Sequence, residues 1–196
     1  MRTYIFTNAE GVPVYTSTPS SDNDYTEGNT YSGYICRLLP EGIAEVDLLT
    51  NYWYDGATWA TKPSQPTQYH QWSGATASWV DPRTLQDHKD AKWFQIKQAR
   101  TNAEYAGFTW DGSVFDSDAT SQNRITGAVT LATLGSAFTI DWILADNTAR
   151  TLTQMDMIQV GVALGQHVAA QFSKGALLRE AIEVATTQAE VEAVVW

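Results

Sequence analysis

Apolar residues change their spacing near residue 80, and one repeating architecture cannot satisfy both halves of the chain. Residues 1–80 show no convincing 3.6-residue stripe, hold five of the six prolines and carry most of the tyrosines. Residues 81–196 contain several apolar series at helical spacing. Short strands between tight turns must therefore build the first half and helices the second. The expected fold class is α+β: a β-hairpin-rich N-terminal half, residues 1–80, followed by a helical C-terminal domain, residues 81–196, with inserted short β-hairpins. Charge does not mark this boundary. Eight acidic and three basic residues before it, and fourteen and nine after it, give −5 on each side.

Within the first half, Thr3–Phe6 and Val12–Thr16 flank Asn8-Ala9-Glu10-Gly11 and predict an opening hairpin. Residues 17–30 are polar with almost nothing to bury, which predicts an exposed loop. Strand character returns over Tyr31–Leu39. An internal near-repeat follows: Tyr52-Trp53-Tyr54-Asp55-Gly56-Ala57-Thr58-Trp59, then Tyr69-His70-Gln71-Trp72-Ser73-Gly74-Ala75-Thr76-Ala77-Ser78-Trp79. Each copy sets aromatics before a glycine turn and a tryptophan after it, so the two tryptophans of a copy are expected to pair across strands.

The second half opens on Asp81-Pro82, which matches an N-cap and a proline in the first helical turn. Leu85, Ala91, Trp93, Ile96, Ala99 and Ala103 then predict a long helix from about 82 to 106. Asp111-Gly112 between alternating aromatics predicts a hairpin. Asp116-Ser117-Asp118 offers caps for a helix ending at Gly135. A further hairpin is expected around Ala145–Thr148, and Thr153 with Asp156 resembles a capping box, with Asp shorter than the usual Glu or Gln. The helix after it carries two apolar stripes, Met155/Ile158/Val162/Ala169/Phe172 and Met157/Val160/Leu164/Val168, which predicts a central helix buried on both sides. Lys174-Gly175 is expected to stop or kink it, and Leu177, Leu178, Ile182 and Ala185 mark another helix. Thr187–Glu190 is a second box, and the chain closes on Trp196, which either folds back or meets a partner.

No residue pattern points to a reaction. His70, His88 and His167 are too scattered to read as a metal site; His88 is assigned to a charged helix face and His167 to a position late in a helix. The single cysteine, Cys36, excludes an internal disulfide and reads as a buried thiol. There is no phosphate loop, no G-x-S-x-G elbow and no H-E-x-x-H. A net charge of −10 argues against binding nucleic acid, and no run reaches the ~20 apolar residues of a membrane span. The chain is read as soluble and non-enzymatic, with no cofactor and no metal. Eight tryptophans remain to be explained. Rings that their own chain does not bury need a partner, and Trp53, Trp59, Trp72, Trp79 and Trp196 are the candidates for contact with a protein or a glycan.

Several ordered strings in the second half carry a resemblance. They are Asp81-Pro82-Arg83-Thr84-Leu85, Lys92-Trp93-Phe94-Gln95-Ile96-Lys97, Gly107-Phe108-Thr109-Trp110-Asp111-Gly112, Phe115-Asp116-Ser117-Asp118, Thr139-Ile140-Asp141-Trp142 and Ala145-Asp146-Asn147. Over about residues 83–196 the chain resembles an uncharacterised C-terminal domain common in tail proteins of tailed bacteriophages, including tail-fibre assembly proteins. The resemblance implies a structural part of the virion tail, made in the host bacterial cytoplasm and associated with tail fibres or baseplate. It also implies self-association or a complex with fibre trimers. A fibre-assembly chaperone is the alternative, and a glycan-binding module for the host surface is a third. No catalytic residue is implied.

Overall fold

The computed structural model describes residues 2–20, 24–135 and 137–196. It is α+β, with short antiparallel hairpins in the N-terminal half and helices in the C-terminal half. The chain forms two compact units, Met1–Arg83 and Thr84–Trp196, each with its own core. The unit boundary thus lies three residues beyond the change in apolar spacing.

In the first unit, β1 (Tyr4–Thr7), β2 (Pro13–Ser17), β3 (Thr30–Tyr31) and β4 (Tyr34–Leu38) form an antiparallel sheet in the order β2-β1-β4-β3. β1 lies inside the sheet, and all four of its residues are buried. Alternation puts Tyr4 and Phe6 on one face, where they pack with Cys36 and with the partly buried Tyr25 and Tyr31. The run Tyr31–Leu39 is not one strand. Ser32 and Gly33, at φ 51° and 88°, make a two-residue turn that folds it into β3 and β4. The polar stretch 17–30 also departs from expectation. Residues 21–23 lie outside the described residues, but the Tyr25 ring stands edge-on to Phe6 with centroids 5.1 Å apart and to Tyr4 at 5.6 Å. One aromatic residue is enough to anchor the segment to the core.

A seven-residue helix, α1 (Glu45–Asn51), was not visible in the apolar pattern, because it buries only Leu48. Two hairpins complete the unit: β5 (Tyr52–Tyr54) with β6 (Trp59–Thr61), and β7 (Gln71–Ser73) with β8 (Ser78–Val80). Cys36 is fully buried, and burial pushes its thiol above the usual value. The native chain is therefore expected to resist a thiol reagent at pH 8 and to react fully in denaturant. Rapid native labelling, followed by absorbance, would contradict this packing.

The second unit begins with α2 (Leu85–Tyr105). Its N-cap is Thr84, not Asp81. The Thr84 N–H donates to Asp87 at 2.7 Å, and the Asp87 N–H donates back to the Thr84 hydroxyl at 3.2 Å. This box satisfies two backbone groups, and Asp81 instead takes the Arg83 guanidinium at 2.6 Å. At the far end, the buried Ser117 hydroxyl accepts from the Gly107 N–H at 2.9 Å and donates to the Glu104 carbonyl. That closes the last turn of α2.

Strands β9 (Phe108–Trp110) and β10 (Ser113–Phe115) turn at Asp111 and Gly112, both at positive φ. Next come α3 (Ala119–Leu134), capped by Asp118, and the hairpin of β11 (Thr139–Ile143) with β12 (Ala149–Thr153). α4 then runs unbroken from Gln154 to Val184. Gly175 does not end it. The glycine is buried where α2 crosses, and a Cβ there would lie 3.2 Å from the Arg100 Cδ. Close packing offsets the roughly 1 kcal/mol that glycine costs within a helix. α5 (Gln188–Ala193) opens on the Thr187–Glu190 box. The core gathers Phe108, Phe115, Ile125, Leu144, Leu152, Met157 and Val160 from the hairpins, α3 and α4.

Helix caps make stability depend on acid. The Ser121 hydroxyl and N–H hold Asp118 below the ordinary carboxylate range, Thr153 does so for Asp156, and the backbone N–H and hydroxyl of Thr186 do so for Glu190. A carboxylate with a lowered folded pKa contributes fully above its unfolded value of about 4, and that contribution is lost as pH falls through the folded value. The urea midpoint is expected to stay level from about pH 7 to 5 and to drop below about 4. Combining Asp118→Asn, Asp156→Asn and Glu190→Gln should shallow the drop. An unchanged acid limb in urea titrations would refute this assignment.

Candidate functional site

The five candidate tryptophans are all half-buried, and each is engaged by its own unit. Trp72 and Trp79 face each other across β7 and β8, with ring centroids 5.4 Å apart at 78°. The first copy of the repeat does not form the expected tryptophan pair. There Tyr54 opposes Trp59, at 5.5 Å, while Trp53 opposes Ala60. A one-residue offset in register sends Trp53 to the other face of its hairpin. On that face its ring meets Trp72 at 5.5 Å, so the two hairpins share one aromatic cluster. The Trp79 indole N–H donates to the Pro63 carbonyl at 2.7 Å.

The hairpins are held against the β1–β2 turn by two glycines. The Tyr54 N–H donates to the Gly11 carbonyl at 2.9 Å, and a Cβ on Gly11 would stand 1.8 Å from the Tyr54 oxygen. A Cβ on Gly74 would stand 1.9 Å from the Glu10 oxygen. The Arg37 guanidinium lies over the Tyr54 ring, 3.9 Å from its centroid. Much of each ring surface is spent inside the unit. In the second unit Trp196 folds back beside Gly175, with the Lys174 ammonium 4.5 Å from its ring centroid.

The histidines also sit differently from expectation. His88 is buried, not on a charged face. His167 lies in the middle of α4, because the helix continues past Gly175, and its Nε2 is 3.0 Å from the Glu104 carbonyl. Among the described residues, no group of three His, Cys, Asp or Glu could hold a metal, and no helix is long and apolar enough to cross a membrane.

The least satisfied surface lies elsewhere. The sequence predicts burial of α4 on both stripes, but the fully buried residues that enter the core are Met157, Val160 and Leu164, with Ile158 and Val168 half-buried against it. On the other stripe, Met155 is 64% exposed, Val162 51% and Phe172 48%. Together with α3, this stripe walls an open groove of about 680 Å³. Val129 and Gly161 make the floor, since a Cβ on Gly161 would come within 2.7 Å of Val129. The two helices bring no charged side chain of their own to the groove, since no Asp, Glu, Lys or Arg occurs between Arg124 and the end of α3, nor from Met157 to Ser173 on α4; at its Phe172 end the Arg100 guanidinium of α2 lies 4.4 Å from the ring centroid. Sequence spacing identified this stripe as apolar but assigned it to the interior. The placement of α3 beside it, with Met155 and Val162 left more than half exposed, marks it as a surface.

A domain family described as a domain of unknown function, DUF4376, matches residues 87–195. That match takes in nearly the whole second unit and its groove, and leaves the aromatic hairpins outside. No curated protein and no solved structure matches the chain. With more than half of its residues covered, the chain belongs to the DUF4376 family.

Proposed function

We propose that this protein is a non-enzymatic component of a phage tail that attaches or organises tail fibres at the tail or baseplate. It works by presenting apolar faces to neighbouring chains. The observation that carries this reading is the open, apolar α3–α4 face, with Val162 and Phe172 about half exposed on a chain of net charge −10. Apolar area of this kind gains free energy only when another surface covers it. The resemblance of residues 83–196 to a tail-protein domain supplies the setting.

Mass spectrometry of purified particles tests the role. Stoichiometric recovery with fibre or baseplate proteins supports a resident part of the tail. Absence from particles, combined with misfolded fibres when the gene is deleted, replaces the resident role with that of an assembly chaperone. Normal particles and normal fibres in the deletion would overturn both.

A further inference from the structure

The exposed stripe of α4 has a finer order than general apolarity. Met155, Ile158, Val162, Gly165, Ala169, Phe172 and Ala176 follow one another at alternating steps of three and four. That is the 3.5-residue repeat of a helix seam that packs knobs into holes, and it runs for about three heptads. A helix that packs only within its own domain has no need of a second such seam opposite its core. We propose that this seam is the interface between two copies of the chain, with the α4 helices antiparallel about a two-fold axis at the level of His167. The proposal deepens the reading of an interaction protein above by naming the first partner of its groove.

The order of side-chain sizes supports a second copy as the occupant. With the axis at that level, Gly165 faces Ala169 of the second copy, Val162 faces Phe172, and Ile158 faces Ala176. Small residues meet at the waist, where helices can approach to about 8 Å, and bulk meets a smaller residue on either side. Every pair occurs twice, as an isologous contact requires. The ideal Cβ position on Gly165 has no atom within 4 Å, so its space is open in the single chain.

Area and charge agree. The seam is about 33 Å long at 1.5 Å per residue, and α3 adds a second helix about 24 Å long alongside. At about 10 Å of width each, the face offers about 600 Å² per copy, the lower end of what a stable interface uses. Two chains of −10 repel each other generally, and the seam residues themselves bring no acidic side chain to the contact, while the charge beside Phe172 is the cationic Arg100 guanidinium. Two α3–α4 pairs joined in this way form a four-helix layer.

Light scattering on the full chain after gel filtration tests the interface. The expected mass at about 200 µM is twice the 21.7 kDa of the chain. Gly165→Arg and Phe172→Glu should each weaken dimerisation by about 100-fold or more, because each change enters the interface twice. Gly165→Arg, at a position with no atom near its Cβ, should leave the circular dichroism spectrum and thermal midpoint of the single chain intact, whereas Phe172→Glu also removes the ring beneath Arg100. Val46→Glu, at a 68% exposed position in the other unit, should leave the dimer unchanged. A wild-type chain that stays monomeric at that concentration overturns the proposal, as does a dimer that survives both seam substitutions. If the chain is monomeric alone and the seam variants instead lose co-purification with fibres, the groove holds a fibre segment and the second copy is ruled out. Particle composition is measured separately, so a missing dimer leaves the tail role standing, and a missing tail role leaves the dimer standing.

Discussion

Phe115→Ala is expected to cost the second unit about 4 kcal/mol. The Phe115 side chain is fully buried, its ring stacks on Phe108 at 5.5 Å, and its edge meets Trp110 at 6.2 Å. It is also the last residue of β10, where the hairpin meets the core built from Ile125, Leu152 and Met157. Truncation removes the apolar transfer energy of a benzyl group and leaves a cavity that neighbours on two helices cannot readily refill. Urea unfolding followed by far-ultraviolet circular dichroism reads the loss directly. A change below about 1 kcal/mol would mean that the ring is not where the packing puts it.

Gly11→Ala comes next, with an expected loss of about 3 kcal/mol in the first unit. Two effects combine. Gly11 sits at φ +76°, where a Cβ costs about 1–2 kcal/mol. Its Cβ would also collide with the Tyr54 carbonyl, which is backbone and cannot rotate aside. Gly33→Ala separates the two. Gly33 has φ +88° but no atom within 4 Å of its Cβ position, so it should lose only about 1 kcal/mol. Tryptophan fluorescence during urea unfolding monitors both variants, since Trp53 and Trp72 report on the hairpins that Gly11 docks. Equal losses for the two glycines would show that the close approach of the hairpins to the β1–β2 turn contributes nothing.

Legibility in the sequence followed the range of each interaction. Caps and turns depend on three or four consecutive residues, so the Thr153–Asp156 and Thr187–Glu190 boxes and the Asp111-Gly112 turn could be read directly. Errors arose where a distant neighbour decided the outcome. Gly175 resembles a helix stop until Arg100 is seen crossing it, and Tyr25 looks like a lone ring in a polar loop until Phe6 is beneath it. His88 looked solvated among charged neighbours, yet it is buried. The candidate surface was half visible. Its apolar stripe was plain in the sequence, but its exposure depends on where α3 ends and on what does not cover it. The repeat pattern predicts a cross-strand pair for Trp53, and a register offset of a single residue sends it to Trp72 instead.

The reciprocal bonds between Thr84 and Asp87 have an implication for how such genes can be assembled. A first helix capped within residues 84–87 takes its N-terminal hydrogen bonds from its own unit. A segment that begins at Thr84 is therefore expected to keep this first turn when placed behind an unrelated leader.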